Sequence, residues 1–215
     1  MTASLPATAR AMCFPDVSSP GTLHMATVQV SKARFVAGED KQGCPGDMRS
    51  CQEKPYLVSG DTVLTGATKG AFTCTGFISP TGKTWREWLP TEALKPASAD
   101  EESPTDWAGD WTAESAEISI KPNGATFTIN GNASFGNGAS TNMGDFTATA
   151  APDSGMIAFT EGNNGQTLAY GAGDQSACRI RMVLKGPYLI ASDNNNCGGL
   201  NVTFSGYYRR TAGKH

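Results

Sequence analysis

Apolar and polar residues alternate with period two along most of the chain, and each alternating run is short. "ATVQVSKARFVA" (26–37) has the pattern of one half-buried strand. "KPYLVSGDTVLTG" (54–66) predicts strand, Ser-Gly-Asp turn, strand. "KGAFTCTGFIS" (69–79) predicts another, and a Pro-Thr-Gly turn at 80–82 leads into "TWREWLP" (84–90). Helical periodicity is absent except for one possible turn in "PTEALK" (90–95). Five short strands with tight turns in under ninety residues point to a small barrel.

The pattern resumes after residue 106 in eight segments: "AEISIKPNG", "ATFTINGNASFGNG", "GDFTATAAPDSG", "MIAFTEGNNG", "QTLAYGAGD", "ACRIRMVLKG", "PYLIASDNNN" and "LNVTFSGYYRR". Pro-Asn-Gly, Asn-Gly and Asn-Asn-Gly turns separate them at even spacing, which favours an antiparallel barrel or sandwich of about eight strands. No repeat is strict enough for a propeller. Between the two series lies "LKPASADEESPTDWAGD" (94–110), rich in Pro, Ser and Ala and acidic at Asp100, Glu101, Glu102, Asp106 and Asp110. That is linker composition. The expected organisation is all-β: a small barrel domain with an N-terminal extension over 1–95, a linker over 96–106, and a second β domain over 107–215.

Composition agrees with strands and turns. Only 17% of residues are charged, and 25 of the 215 are Gly and 12 Pro. The net charge of -3 gives no footing for nucleic acid, and the halves are balanced, with 10 basic and 9 acidic residues up to Asp100 and 7 and 11 after it. No apolar run is long enough for a membrane-spanning helix. The start, "MTASLPATARAMCFPD", is not a signal peptide, so the expectation lies between a cytosolic protein and a mature exported domain behind an added Met1.

The cysteines favour export. Six are present, with no Cys-x-x-Cys pair to suggest zinc, and His24 and His215 do not complete a metal site. Disulfides in a periplasmic or secreted protein are the better account. Cys178 and Cys197 flank the "RIRMVLKGPYLIAS" hairpin, and a bridge closing that loop is worth roughly 3 kcal/mol. In the first half, close spacing prefers Cys44–Cys51, leaving Cys13–Cys74, out of three possible pairings.

"YLVSGDTVL" followed by "GAFTCTGFISPTGKTWREWLPTEAL" resembles the bacterial SH3-like domain, over residues 24–95. In that family the domain closes on a Gly-Trp-(Val/Leu) signature; here Glu87 stands at the glycine, before Trp88 and Leu89. The resemblance implies that Trp88 is buried and that "CPGDMRSC" (44–51) is inserted in the loop that elsewhere shapes a ligand groove. Residues 107–210, with "DN..CGG.NVTF.G.Y", resemble the C-terminal domain of small exported proteobacterial proteins, some of them grouped with lysozyme-inhibitor-type lipoproteins.

Chemistry is sparse. A nucleophile–base arrangement lacks a histidine in a suitable place. The carboxylates fall mainly in turns and in the linker, so paired acids for glycoside hydrolysis are not expected, and no phosphate-binding loop is present. Asp193, Asn194, Asn195 and Asn196 are consecutive, whereas a calcium loop uses alternate positions, so an Asx-rich turn is the expectation there. No metal, cofactor or catalytic residue is assigned. Trp85, Trp88, Trp107, Trp111, Tyr56, Tyr188, Tyr207 and Tyr208 could line a groove, although core packing is their ordinary role. Tyr207 and Tyr208 point to opposite faces of a strand, so only one is expected in the core. Arg179 and Arg181 share a face and could form a basic stripe with Arg209 or Arg210. The candidate binding surface is Trp85, Arg86, Asp193, Asn194, Asn195, Tyr208 and Arg209.

The resulting expectation is a non-enzymatic exported binding protein. Its partner is either a cell-wall-degrading enzyme or delivered toxin that it inhibits, or peptidoglycan recognised by the SH3-like half. A cell-wall hydrolase is the remote alternative.

Overall fold

The computed structural model describes Cys13, Val17 and residues 23–80, 82–98 and 105–211. The rest of the N-terminal extension, the linker residues Asp100, Glu101 and Glu102, and His215 lie outside the described residues. The fold is all-β, with two antiparallel sheets, one a half-barrel and one a nearly closed barrel.

The first sheet holds β1 (His24–Val28), β2 (Ala33–Val36), β3 (Gln52–Leu57), β4 (Thr62–Lys69), β5 (Phe72–Ile78), β6 (Thr84–Pro90) and β7 (Leu94–Pro96), ordered β3-β2-β6-β5-β4-β1-β7. Residues 26–37 form two strands where the alternation predicts one. β1 pairs with β4 and β7, whereas β2 pairs with β3 and β6, and one straight strand cannot reach both sets. The break falls at Gln29, whose N–H and side-chain amide donate to Ala93 O and Glu92 O. A short 3-10 turn at Thr91–Ala93 precedes β7, a strand the alternation did not reveal. Both edges are blunted by proline, Pro55 in β3 and Pro96 in β7.

The second sheet holds β8 (Gly109–Thr112), β9 (Ala116–Asn123), β10 (Thr126–Phe135), β11 (Asn142–Ala150), β12 (Met156–Glu161), β13 (Thr167–Ala169), β14 (Arg179–Lys185), β15 (Tyr188–Asp193) and β16 (Gly206–Arg210). Their order is β11-β10-β9-β8-β16-β15-β14-β12-β13. The additional strand is β8, drawn from the end of the linker-like segment. The edges β11 and β13 approach each other, and side chains bridge the seam: Thr149 N–H donates to Thr167 Oγ1 at 2.8 Å and Thr147 N–H to Glu161 Oε1 at 3.2 Å. Inside, Trp107, Trp111, Phe146, Phe159, Phe204 and Tyr208 fill the core. Gly131 is required there, because a Cβ would lie 2.0 Å from the Phe146 ring.

"LNVTFSGYYRR" is a strand only from Gly206. Val202 and Phe204 do point inward, as the alternation predicts, but Thr203, Phe204 and Ser205 hydrogen-bond to Asp193 instead of a neighbouring ladder.

The two sheets pack outer face to outer face. Met25, Leu64 and Ile78 meet Val183, Tyr188, Ile190 and Tyr207 in one buried cluster. Tyr188 Oη donates to Thr62 O and Arg209 Nη1 to Ile78 O, each at 2.7 Å. Strand β5 is therefore buried along its whole length and β15 over all but its last residue. This corrects the expectation for the tyrosine pair: Tyr208 enters the barrel core and Tyr207 the junction, so both are buried.

Three disulfides tie the chain: Cys13–Cys74, Cys44–Cys51 and Cys178–Cys197. The first two share a cluster with Phe72 and Trp88 on the outer face of the half-barrel.

Candidate functional site

The residues singled out from sequence fall at separate places. Trp85 lies on the inner face of β6, stacked on Phe35 at 5.8 Å, with the Lys83 ammonium 4.1 Å from its ring centre. Arg86 points the other way, over Tyr207 in the junction, where Arg209 is also engaged. Tyr208 is withdrawn from any surface: it is buried, donates to Phe204 O at 2.7 Å, and burial pushes its phenol pKa far up. Of the two arginines offered as partners for Arg179 and Arg181, Arg210 pairs with Asp106 and lies over Trp111, on the far side of β16 from Arg209.

Asp193 and Asn194 organise a loop. Asp193 Oδ1 accepts from Thr203 Oγ1 (2.7 Å) and Ser205 Oγ (2.6 Å), and Oδ2 accepts from Phe204 N–H (3.1 Å). Asn194 Oδ1 accepts from Arg179 N–H (3.0 Å) and Nδ2 donates to Ala177 O (2.9 Å). Asn195, at φ 60°, takes the left-handed turn position. These oxygens are spent on the chain itself, and among the described residues no group of three or more His, Cys, Asp or Glu could hold a metal ion.

What the loop presents is a residue that sequence reasoning missed. Its next part lies directly on β11: Gly144 and Gly198 touch backbone to backbone, and a Cβ on Gly144 would be 2.3 Å from Cys197 O. Gly199 N–H donates to Met143 O (3.0 Å), Asn142 Nδ2 to Leu200 O (2.8 Å), and Val202 N–H to Gly199 O (3.0 Å). The last bond closes a turn with Asn201 at φ 64°, leaving Leu200 at its apex. Leu200 is 77% exposed, Met143 67% and Phe135 49%. Phe135 is in register with Asn142 and Met143 with Ser134, so the three lie around one end of the β10–β11 pair, with Met143 turned to the outward face of β11 and Phe135 to the other. A shallow groove of about 280 Å³ lies beside it, lined by Met143, Ala113, Ala133, Glu114 and Glu117 among others.

A second feature lies in the half-barrel. Glu87, on the Trp85 face of β6, is in register with buried Thr75. Its carboxyl is pushed up to about 7, first by burial, then by the charges of Glu53 and Asp40. Glu53 approaches because β3 bulges by two residues opposite Phe35, between the Arg34–Tyr56 and Val36–Gln52 pairs.

Fold and surface together define an all-β protein of two packed sheets, cross-linked by three disulfides, with an apolar edge in solvent. No known family model, curated protein or solved structure matches the chain.

Proposed function

We propose that the protein works by binding another protein through the Phe135–Met143–Leu200 edge, as an exported inhibitor or immunity-type protein. The observation that carries this reading is the exposure of Leu200, Met143 and Phe135 around one end of the β10–β11 pair, with Leu200 on a loop that the chain itself holds in place. The Cys178–Cys197 bridge, the Asp193 hydrogen bonds and the backbone contact at Gly144 fix the loop before any partner arrives. A preformed loop loses little conformational entropy on association, so most of its burial energy goes into affinity. Burying one such side chain yields roughly 1.5–3 kcal/mol, and large apolar groups clustered in solvent mark interaction sites. The disulfides fit an oxidising compartment, and among the described residues no helix is long and apolar enough to cross a membrane. A cell-wall-degrading enzyme or a delivered toxin is the target class that suits such an export.

The test is capture from bacterial envelope extract by tagged, oxidised protein, read by mass spectrometry. Wild type should retain a protein that a Leu200→Ser, Met143→Ser double variant loses. Equal capture by both sinks the reading.

Trp85 favours a second reading, in which the SH3-like half recognises peptidoglycan. Its ring is held on Phe35 with Glu87 two positions along the same face, an arrangement suited to a saccharide or peptide. Pull-down on purified sacculi, compared with a Trp85→Ala variant, tests it; no sedimentation of wild type removes it.

A further inference from the structure

We infer that the surface received by this edge is cationic: a protein patch in which lysine or arginine side chains ring an apolar recess. The inference rests on the binding reading above and adds the chemistry of the partner.

Carboxylates lie to one side of Met143. Glu114 and Glu117 line the groove beside it, and among the described residues no lysine or arginine does. Asp145 lies two positions along β11, on the same outward face as Met143. Asn132 of β10 is in register with both Glu117 and Asp145, so these two acids stand on either side of it, across three adjacent strands. Strand spacing puts their Cα atoms about 10 Å apart. All three acids are exposed. On the loop side the neighbours Asn195, Asn196 and Asn201 are uncharged.

An apolar centre with an acidic margin sets the partner's charge. Lysine and arginine carry aliphatic stems that can lie along Met143 and Ala113 while their heads meet Glu114 and Glu117. An anionic surface would bring like charges together as the apolar groups closed. Marginal charges of this kind act mainly on encounter rate and salt dependence, whereas Leu200 and Met143 supply the apolar area.

The experiment uses full-length oxidised protein, methyl-labelled at Met and Leu and observed by NMR. The probes are three synthetic peptides of equal length: alternating Leu-Lys, Leu-Ser and Leu-Glu. The Leu-Lys peptide should shift the Met143 and Leu200 methyls, with an affinity that falls about tenfold between low and physiological-to-high salt. A Glu114→Gln, Glu117→Gln, Asp145→Asn triple variant should weaken it by about tenfold, with an unchanged thermal midpoint showing that the fold is intact. Equal shifts by the Leu-Ser or Leu-Glu peptide, shifts confined to the Trp85–Glu87 face, or unaltered binding by the triple variant each overturn the inference. If a captured partner is lost with Leu200→Ser yet held by the triple variant at all salt concentrations, the edge stands and its cationic occupant falls. If Leu200→Ser and Met143→Ser both leave capture intact, the edge itself falls.

Discussion

Replacing Glu87 with glutamine should stabilise the protein at alkaline pH and hardly change it in acid. Glu87 has a folded-state pKa of about 7 against an ordinary 4.5, with burial the largest cause and Glu53 and Asp40 adding to it. Below 4.5 the carboxyl is protonated in both the folded and the unfolded chain and contributes no pH dependence. As pH rises from 4.5 to 7 the unfolded chain ionises while the folded one holds its proton, so stability falls across that window. Above 7 the loss is complete. For a fully buried group the difference would amount to roughly 3 kcal/mol; Glu87 keeps partial contact with solvent, and screening reduces this to about 1–2 kcal/mol. In a chain of this size that is a midpoint shift of about 2–8 °C. The assay is guanidinium or thermal denaturation of oxidised wild type and Glu87→Gln at pH 4, 6 and 8. The gap should be near zero at pH 4 and widest at pH 8. A gap that is constant across the three would refute the burial argument. Glu53→Gln should narrow the effect by moving the Glu87 titration toward acid, which NMR of the Glu87 side chain would follow.

Other expectations test the junction, the bridge and the loop seat. Tyr188→Phe removes a buried donor to Thr62 O and should cost about 1–2 kcal/mol in denaturant unfolding, since that carbonyl is left without its partner; no loss would mean that the sheets do not depend on this bond. Removing the third bridge with Cys178→Ala, Cys197→Ala should cost about 3 kcal/mol and speed amide exchange over 194–205, whereas unchanged exchange would show that Asp193 and Asn194 hold the loop alone. Gly144→Ala places a Cβ against Cys197 O. It should destabilise by about 2 kcal/mol or more, as over-packing does, and it should also displace Leu200, read as loss of partner capture at temperatures where the variant remains folded.

Period-two alternation carried the fold class, because a pleated strand with one face in a core has no other signature. It failed where a strand has no solvent face. "AFTCTGFIS" and "PYLIAS" read as ordinary strands, yet β5 and β15 are buried on both sides because the sheets meet there. Their near-continuous apolar character was the available signal, and the threonines of β5 masked it. Thr75 is buried because its hydroxyl donates to Glu87 O at 2.7 Å, a pairing visible only once β5 and β6 are in register. The tyrosine pair turns on the same point: one core predicts one buried tyrosine, and a second packed face buries both.

Leu200, Val202 and Phe204 have one parity, and alternation assigns all three to the core. Val202 and Phe204 are there, at 2% and 0% exposure, while Leu200 is at 77%. The difference lies in one backbone angle: Asn201 at φ 64° reverses the chain between Leu200 and Val202, so the parity rule stops at that residue. Asparagine before a strand-like run was the only hint, since it is among the few residues that adopt this conformation readily. What holds the turn is remote in sequence: Asn142 reaches Leu200 O across 58 positions, and Gly144 leaves room for Cys197. A side chain is expelled from a core by neighbours that a local pattern does not contain. The exposed edge and the Glu53–Glu87 approach were illegible for this common reason, and the disulfides, whose partners declare themselves by type, were not.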